Sequence, residues 1–331
     1  MMQTRAVWSP LSIRAVARRL AHLCPAAAFE KCAVVAAMSL IIVSAAMSDD
    51  DRNLDLAATL ADTAAITGDG IITLPGRETT FGAYLGAPYH YPSDVRVEKP
   101  KQNDFIVKDV EWFTHPFENP LYYGARIQRW FANGRTGTMV DFTHSKAYAP
   151  MKQTAKFEGL NGGRGTYAGN PIPETAQISE FFKRLEFTHG HNMLTLNGLV
   201  RVFGFSNRIQ PYAGLGAGIS LPHAEVHMAA DPHRTYEYQY TGPNAQALAG
   251  IELRLQTGSI FIEYKFTIAD YLMPVTHRDG SLLPIDLWNQ FSRWWAGADP
   301  PGGWLSSRLA SHQVIGGFIV RFAPASGAPV R

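Results

Sequence analysis

Cysteine is nearly missing from this chain of 331 residues. Cys24 and Cys32 are its only two, and both lie in an N-terminal stretch that reads as a leader. If cleavage follows Ala46 or Ser48, the remainder has none, which excludes a thiol nucleophile, a cysteine metal site and a structural disulfide. Charge of one sign is missing as well. The 30 Lys+Arg and 28 Asp+Glu give a formal charge of +2, and the excess belongs to residues 1–48, where Arg5, Arg14, Arg18, Arg19 and Lys31 face Glu30 alone. The remaining 25 basic and 27 acidic residues turn the charge to −2, so a nucleic-acid partner has no support. Also absent is an apolar run that would cross a bilayer comfortably as a helix, which takes ~20 residues. The segment Cys32–Val43 is shorter, follows a basic stretch and ends in Ser44-Ala45-Ala46. That is the layout of a secretory signal peptide, with an N-terminal anchor helix as the alternative.

We therefore read 1–48 as a signal peptide and 49–79, acidic at Asp49, Asp50 and Asp51 and then rich in alanine, as a periplasmic segment. Beyond it no helical period of any length appears, and runs of about ten residues alternate apolar with polar or small, which means strand. In 248–255, Ala249, Ile251, Leu253 and Leu255 oppose Gly250, Glu252 and Arg254. In 260–268, Ile260, Ile262, Tyr264, Phe266 and Ile268 oppose Glu263, Lys265 and Thr267. Segments 193–202, 211–219 and 311–322 alternate similarly, and 80–88, 121–131 and 136–146 do so less neatly, which makes eight strands. Short links (132–135, 204–209, 256–259) alternate with long ones (roughly 89–120, 147–191, 220–246, 269–310).

Tight turns on one side and extended loops on the other belong to outer-membrane barrels. The fold expected is all-β: an eight-stranded antiparallel transmembrane β-barrel over 80–322, in the bacterial outer membrane, with long extracellular loops and a tail at 323–331. An interior wide enough only for side chains would hold the glycines and charges of both signs, while the aliphatic rows meet lipid. A soluble barrel, apolar inside, is the competing arrangement. Tyr122, Tyr123, Trp130, Phe131, Tyr212, Tyr264, Phe266 and Phe322 are expected as an interfacial girdle. The Trp-rich segment around Ile285–Trp295 reads equally as a helix on the outer leaflet or as a packed loop core. Closure leaves no edge to pair, so a monomer is expected.

The chemistry-bearing residues gather where strands meet the outer loops: Asp141, His144 and Lys146; Glu186, His189, His191 and Asn192; His223 and Glu225. Consecutive strands bring these histidines to one rim. A His-x-His on a strand puts both rings on one face, so His189 and His191, continuing the parity of 193–202, would face the interior and offer two nitrogen ligands. Glu186 or Glu225 could complete a two-histidine, one-carboxylate site or act as a general base. Water or divalent ions between lipopolysaccharide phosphates could equally occupy such a rim. Glu252, Arg254, Glu263 and Lys265 are read as neutralising one another inside.

The segments VKDVEW (107–112), PFENPLYYGAR (116–126), DFTHSKAY (141–148), LEFTHGHN (185–192), PYAGLGAG (211–218), TYEYQYTGP (235–243) and EYKFT (263–267) together resemble the lipid A oxidase family of outer-membrane enzymes. The resemblance implies oxidation of the proximal glucosamine of lipid A to 2-aminogluconate, with O2 as co-substrate and help from a divalent metal ion. Carried to matching positions, it points to His144, Glu186, His191 and Asn192, with Asp141, Lys146, His223 and Glu225 behind them. The metal candidates are His189, His191, His223 and Glu225. Lipid A or lipopolysaccharide is then the partner. An acyl hydrolase at the same site and a non-enzymatic barrel are the alternatives.

Overall fold

The computed structural model describes residues 77–99, 105–119, 121–159, 165–202, 208–255 and 258–322. The leader with both cysteines, all but the last residues of the periplasmic segment, and the tail at 323–331 lie outside the described residues. The strands are β1 (Glu78–His90), β2 (Ser93–Glu98), β3 (Phe105–Val110), β4 (Tyr123–Trp130), β5 (Thr136–Tyr148) and β6 (Thr154–Gly159). Three short ones follow, β7 (Thr166–Tyr167), β8 (Asn170–Pro171) and β9 (Thr175–Gln177). Then come β10 (Phe182–Arg201), β11 (Ile209–Ser220), β12 (His223–Met228), β13 (Thr235–Tyr238), β14 (Gly242–Arg254) and β15 (Gly258–Pro274). A helix, α1 (Leu283–Trp295), precedes β16 (Trp304–Phe322).

Among these, β1, β4, β5, β10, β11, β14, β15 and β16 pair antiparallel in that order. β16 returns to β1 from Thr79↔Phe322 to His90↔Ser311, so the eight strands close into a ring with its backbone groups paired all round. Strand alternation sorts the side chains onto two faces. Phe81, Leu85, Ile127, Val140, Leu196, Ile251, Leu253, Ile260, Ile262, Val314, Phe318 and Val320 are exposed on the outer wall. Their alternates Thr80, Tyr84, Arg126, Gln128, Asp141, Thr195, Asn197, Glu252, Arg254, Glu263, Lys265 and Gln313 are buried inside.

The interior is an ionic lattice, which is how a charged lumen tolerates burial: each charge is paired and hydrogen-bonded. Arg126 donates through both Nη atoms to Glu263, at 2.8 Å each, and lies 3.3 Å from Asp141. Lys265 donates to Asp141 at 2.6 Å, and the Tyr212 hydroxyl donates to Glu263 at 2.7 Å. At the end bearing the short links, Glu78 accepts from Arg254, Arg201 and Arg321. Glu78 was expected in the periplasmic segment, yet it opens β1 and gathers three arginines. Gly124 makes room for another member of the lattice. A Cβ there would lie 2.0 Å from the Tyr84 ring, whose hydroxyl meets Asp141 and Thr143.

Two expectations are corrected here. Trp130, Tyr122 and Tyr212 are not girdle residues; they are buried inside, Trp130 beneath the Arg201 guanidinium at 3.9 Å. Tyr123, Phe131, Tyr264 and Phe322 do stand exposed on the outer wall. The long links, moreover, are largely structured. β10, β15 and β16 run for 20, 17 and 19 residues, whereas a membrane strand needs about 9–11. Their far ends project past the apolar wall and carry more strands: β2, β3, β6 and β9 in order on β16, and β12 then β13 on β10. Val95, Val107, Phe157, Phe182, Leu185, Val226 and Leu309 form a second apolar core there. Short strands covered on one side by their own core give a weaker alternating signal than a wall exposed to one solvent, hence their appearance as loops in the sequence. No described helix is long and apolar enough to cross a membrane.

Candidate functional site

The projecting sheet places one row of directly opposed residues across four strands. Tyr148 of β5 faces Glu186 of β10, Glu186 faces Glu225 of β12, and Glu225 faces Tyr236 of β13. Adjacent strands lie about 4.8 Å apart, so the two carboxylates are forced into contact with a tyrosine on either side. Arg184, two residues before Glu186 and hence on its face, reaches it at 3.5 Å. Arg234 holds Glu225 at 3.1 Å and Asp279 at 2.8 Å, and lies over the Tyr236 ring at 4.5 Å. These side chains, with His189 and Asn119, line a cavity of about 470 Å³ open to the outside of the molecule.

Burial pushes the Glu186 carboxyl up to about 7; Arg184 opposes the shift and the Glu225 carboxylate adds to it. The group therefore sits near half ionisation at neutral pH, where a general base works best. His223 is held below the ordinary histidine range by burial, with its Nε2 against the Gly280 carbonyl at 3.1 Å.

Beneath the cavity, a row of packed polar side chains continues on the same face of the sheet toward the apolar wall. His189 contacts the Tyr236 hydroxyl at 3.3 Å and packs 5.3 Å from the His223 ring. Below it, Asn192 donates through Nδ2 to the Leu221 carbonyl, which turns its Oδ1 toward His144 Nδ1 at 2.8 Å. His144 Nδ1 must then carry the proton, leaving Nε2 as a buried lone pair with no protein partner. The His144 ring stacks on Tyr123 at 4.6 Å, and Tyr123 is already part of the exposed aromatic edge of the wall. The result is a column rising from the apolar band to the carboxylate pair.

No family model and no curated relative matches the chain. Among solved structures it is similar to Neisserial surface protein A, at 10% identity and a TM-score of 0.31, covering 75% of this chain and 97% of that one. It is also similar to the outer membrane protein AlkL in lipid bilayers, at 13% identity and a TM-score of 0.35, covering 79% and 96%. These likenesses are too loose to transfer any residue's role.

Of the residues singled out from sequence, Glu186, His189 and Glu225 line the cavity, and His144, Asn192 and His223 line the column beneath it. Lys146 shares that face, its Nζ donating to the Glu118 carbonyl at 3.0 Å. Asp141 does not belong to the group: it is locked into the interior lattice by Lys265 and Arg126. His189 and His191 do not share a face either. The register between β10 and β5 shifts between Phe187 and His191, with Gly190 at φ +133°, and the bulge turns His189 outward. His191 is fully buried inside among His90, Phe187 and Tyr271. The proposed ligands His189, His191, His223 and Glu225 therefore do not converge on one ion, and no described group of three or more such residues does. Tyr148, Arg184 and Arg234 are given no role by the sequence, and Tyr236 enters only as part of the segment TYEYQYTGP. Arg184 shares the parity of Glu186 and was open to inspection; the others depend on register between distant strands.

Proposed function

We propose that this protein is an eight-stranded outer-membrane barrel whose outer face modifies lipid A, oxidising the proximal glucosamine to 2-aminogluconate. The observation that carries the reading is the position of the column. It lies on the outside of the wall and starts at the aromatic edge of the apolar band. Tyr148 lies six residues beyond Phe142 on β5, about 20 Å along the strand and, at a tilt of about 45°, about 14 Å along the membrane normal. A substrate with tails against Leu194 and Val140 and its reacting group near Glu186 must therefore be an amphiphile with a long polar head. A glycolipid with a saccharide head satisfies that, and an ordinary small headgroup region, about 5–7 Å deep, does not. The segments that resemble the lipid A oxidase family support the same reading. DFTHSKAY, LEFTHGHN and TYEYQYTGP are the stretches of β5, β10 and β13 that build the column.

In this reading Tyr148 and Tyr236 flank the sugar, and Arg184 and Arg234 hold its anionic substituents. The Glu186 carboxylate takes the proton of the anomeric hydroxyl. Carbon 1 loses two electrons, O2 accepts them with two protons to give hydrogen peroxide, and water opens the resulting lactone to the acid. The product is one oxygen atom heavier than the substrate. His191 is buried inside the ring, away from His189, His223 and Glu225, so the four candidate ligands do not form one metal site.

Mass spectrometry of lipid A from cells with the gene, without it, and with Glu186→Gln tests the proposal. Gain of one oxygen that requires the wild-type gene is expected. Loss of an acyl chain would instead support hydrolysis, and unchanged lipid A would support a non-enzymatic barrel.

A further inference from the structure

Helix α1 is built the wrong way round for a helix on a water-soluble surface. Its polar positions Asp286, Gln290 and Arg293, spaced i, i+4 and i+7, form one face, and that face is turned to the protein. Asp286 is buried and accepts from the Tyr238 amide at 3.2 Å. Gln290 accepts from the Tyr240 amide at 2.7 Å and donates to the Tyr240 carbonyl at 2.8 Å. Arg293 reaches Glu237 at 3.3 Å. The opposite face carries Trp288, Phe291 and Trp295, with Ile285 and Trp294 on its two flanks, and Trp288, Trp294 and Trp295 are 66%, 75% and 82% exposed.

The cause of the inversion is β13. That strand pairs with β12 along one edge, and its other edge would leave backbone groups open. The chain at 278–280 bridges Tyr236, and then α1 runs alongside, its side chains answering Tyr238 and Tyr240. Four helical residues rise about 6 Å and two strand residues about 6.6 Å, so Asp286 and Gln290 keep step with Tyr238 and Tyr240. The polar face is consumed in covering this edge, and the apolar face is left outward.

We infer that α1 is an interfacial anchor whose tryptophan face lies in the outer-leaflet boundary between headgroups and acyl chains. The inference rests on the outer-membrane reading above and adds to it a lipid contact outside the ring. Continuity with the apolar wall identifies the occupant. From Tyr240 the chain enters β14 at Gly242, whose outer face begins with Pro243 and Ala245, and Tyr240 itself is exposed. The C-terminal turn of α1 extends about 7 Å beyond Gln290 in that direction, which carries Trp294 and Trp295 to the upper margin of the band. Amphipathic tryptophans favour that depth, and a helix with such a face lies in the plane of the interface. Because α1 braces β13, the membrane would also fix Tyr236 and Arg234 at the rim of the cavity.

The test is tryptophan fluorescence of the full chain in liposomes whose lipids carry bromine either near the headgroup end or deep in the acyl chain. Shallow bromines are expected to quench the wild type strongly, and Trp288→Ser, Trp294→Ser and Trp295→Ser combined should abolish most of that quenching. Leu196→Trp in the triple variant is the reference for the wall, and it should be quenched best by deep bromines. If Leu196→Trp is quenched while the wild-type helix is not, the anchor is wrong and the barrel stands; if neither is, the barrel reading fails. Helix tryptophans shielded from both bromine and an aqueous quencher in a dimeric protein would overturn the inference in favour of self-association.

Discussion

At the scale of single residues the account turns on two carboxylates held side by side by cross-strand register. Glu186 opposite Glu225 is an arrangement that folding alone would avoid, since like charges directly opposed destabilise a sheet. With its carboxyl raised to about 7, Glu186 holds its proton more tightly when folded than when unfolded. Its contribution to stability is therefore present in acid and lost as pH rises through about 7, while the base needed for catalysis appears over the same interval. Activity on lipid A is expected to rise with pH through a limb near 7. Glu225→Gln removes the neighbouring charge and should move that limb to lower pH; Arg184→Gln should move it higher. Glu186→Gln should lower the rate about 10²–10⁴-fold, the usual worth of a positioned base. A pH–rate profile with purified protein and detergent-dispersed lipid A checks all three, and a limb that ignores both neighbours would remove Glu186 from the role.

Among the elements, β10 does the most, spanning the wall with one half and building the site with the other. Its bulge separates the functions. Gly190 adopts a φ of +133°, and a Cβ there would lie 2.3 Å from Asn192 Nδ2. Gly190→Ala is expected to strain the backbone by about 1–3 kcal/mol, dislodge Asn192 from His144 and depress lipid A oxidation. The ring should still close, as read by resistance of the folded band to denaturing electrophoresis; loss of the folded band would place the bulge in the folding of the ring itself. This element also shows what the sequence could and could not reveal. Leu194 and Leu196 outward with Thr195 and Asn197 inward follow from alternation, because one wall faces one medium. His189 breaks that parity because β10 carries three residues where β5 carries one between the Phe187↔Ala147 and His191↔Ser145 pairs, and periodicity has no means to register such an insertion. Likewise β2, β3, β6, β12 and β13 look like loops in the sequence because their partners are remote and their apolar residues serve a separate core. Helix α1 was visible as an amphipathic stretch, but which face it shows depended on the open edge of β13.

For the molecule as a whole, the same alternation that fills the ring with ion pairs leaves its outside apolar. The lattice around Arg126, Glu263, Asp141 and Lys265 is a stability device, distant in role from the outward-facing site. Arg126→Ala should leave Glu263 short of its bidentate partner and cost about 3–5 kcal/mol, measured by urea-driven unfolding in detergent or liposomes. A cost well below 1 kcal/mol would mean that water enters the ring. The localisation, the proposed glycolipid substrate and the proposed helix anchor all require the outer wall to meet hydrocarbon. The most direct test of that requirement is spin-label accessibility along β15 in liposomes, with single cysteines placed in turn from Ile260 to Thr267. The account predicts a period of two: labels at positions 260, 262, 264 and 266 collide with dissolved oxygen and not with an aqueous nickel reagent, and labels at their alternates do not share that oxygen preference. Outward positions that collide freely with the aqueous reagent would contradict it.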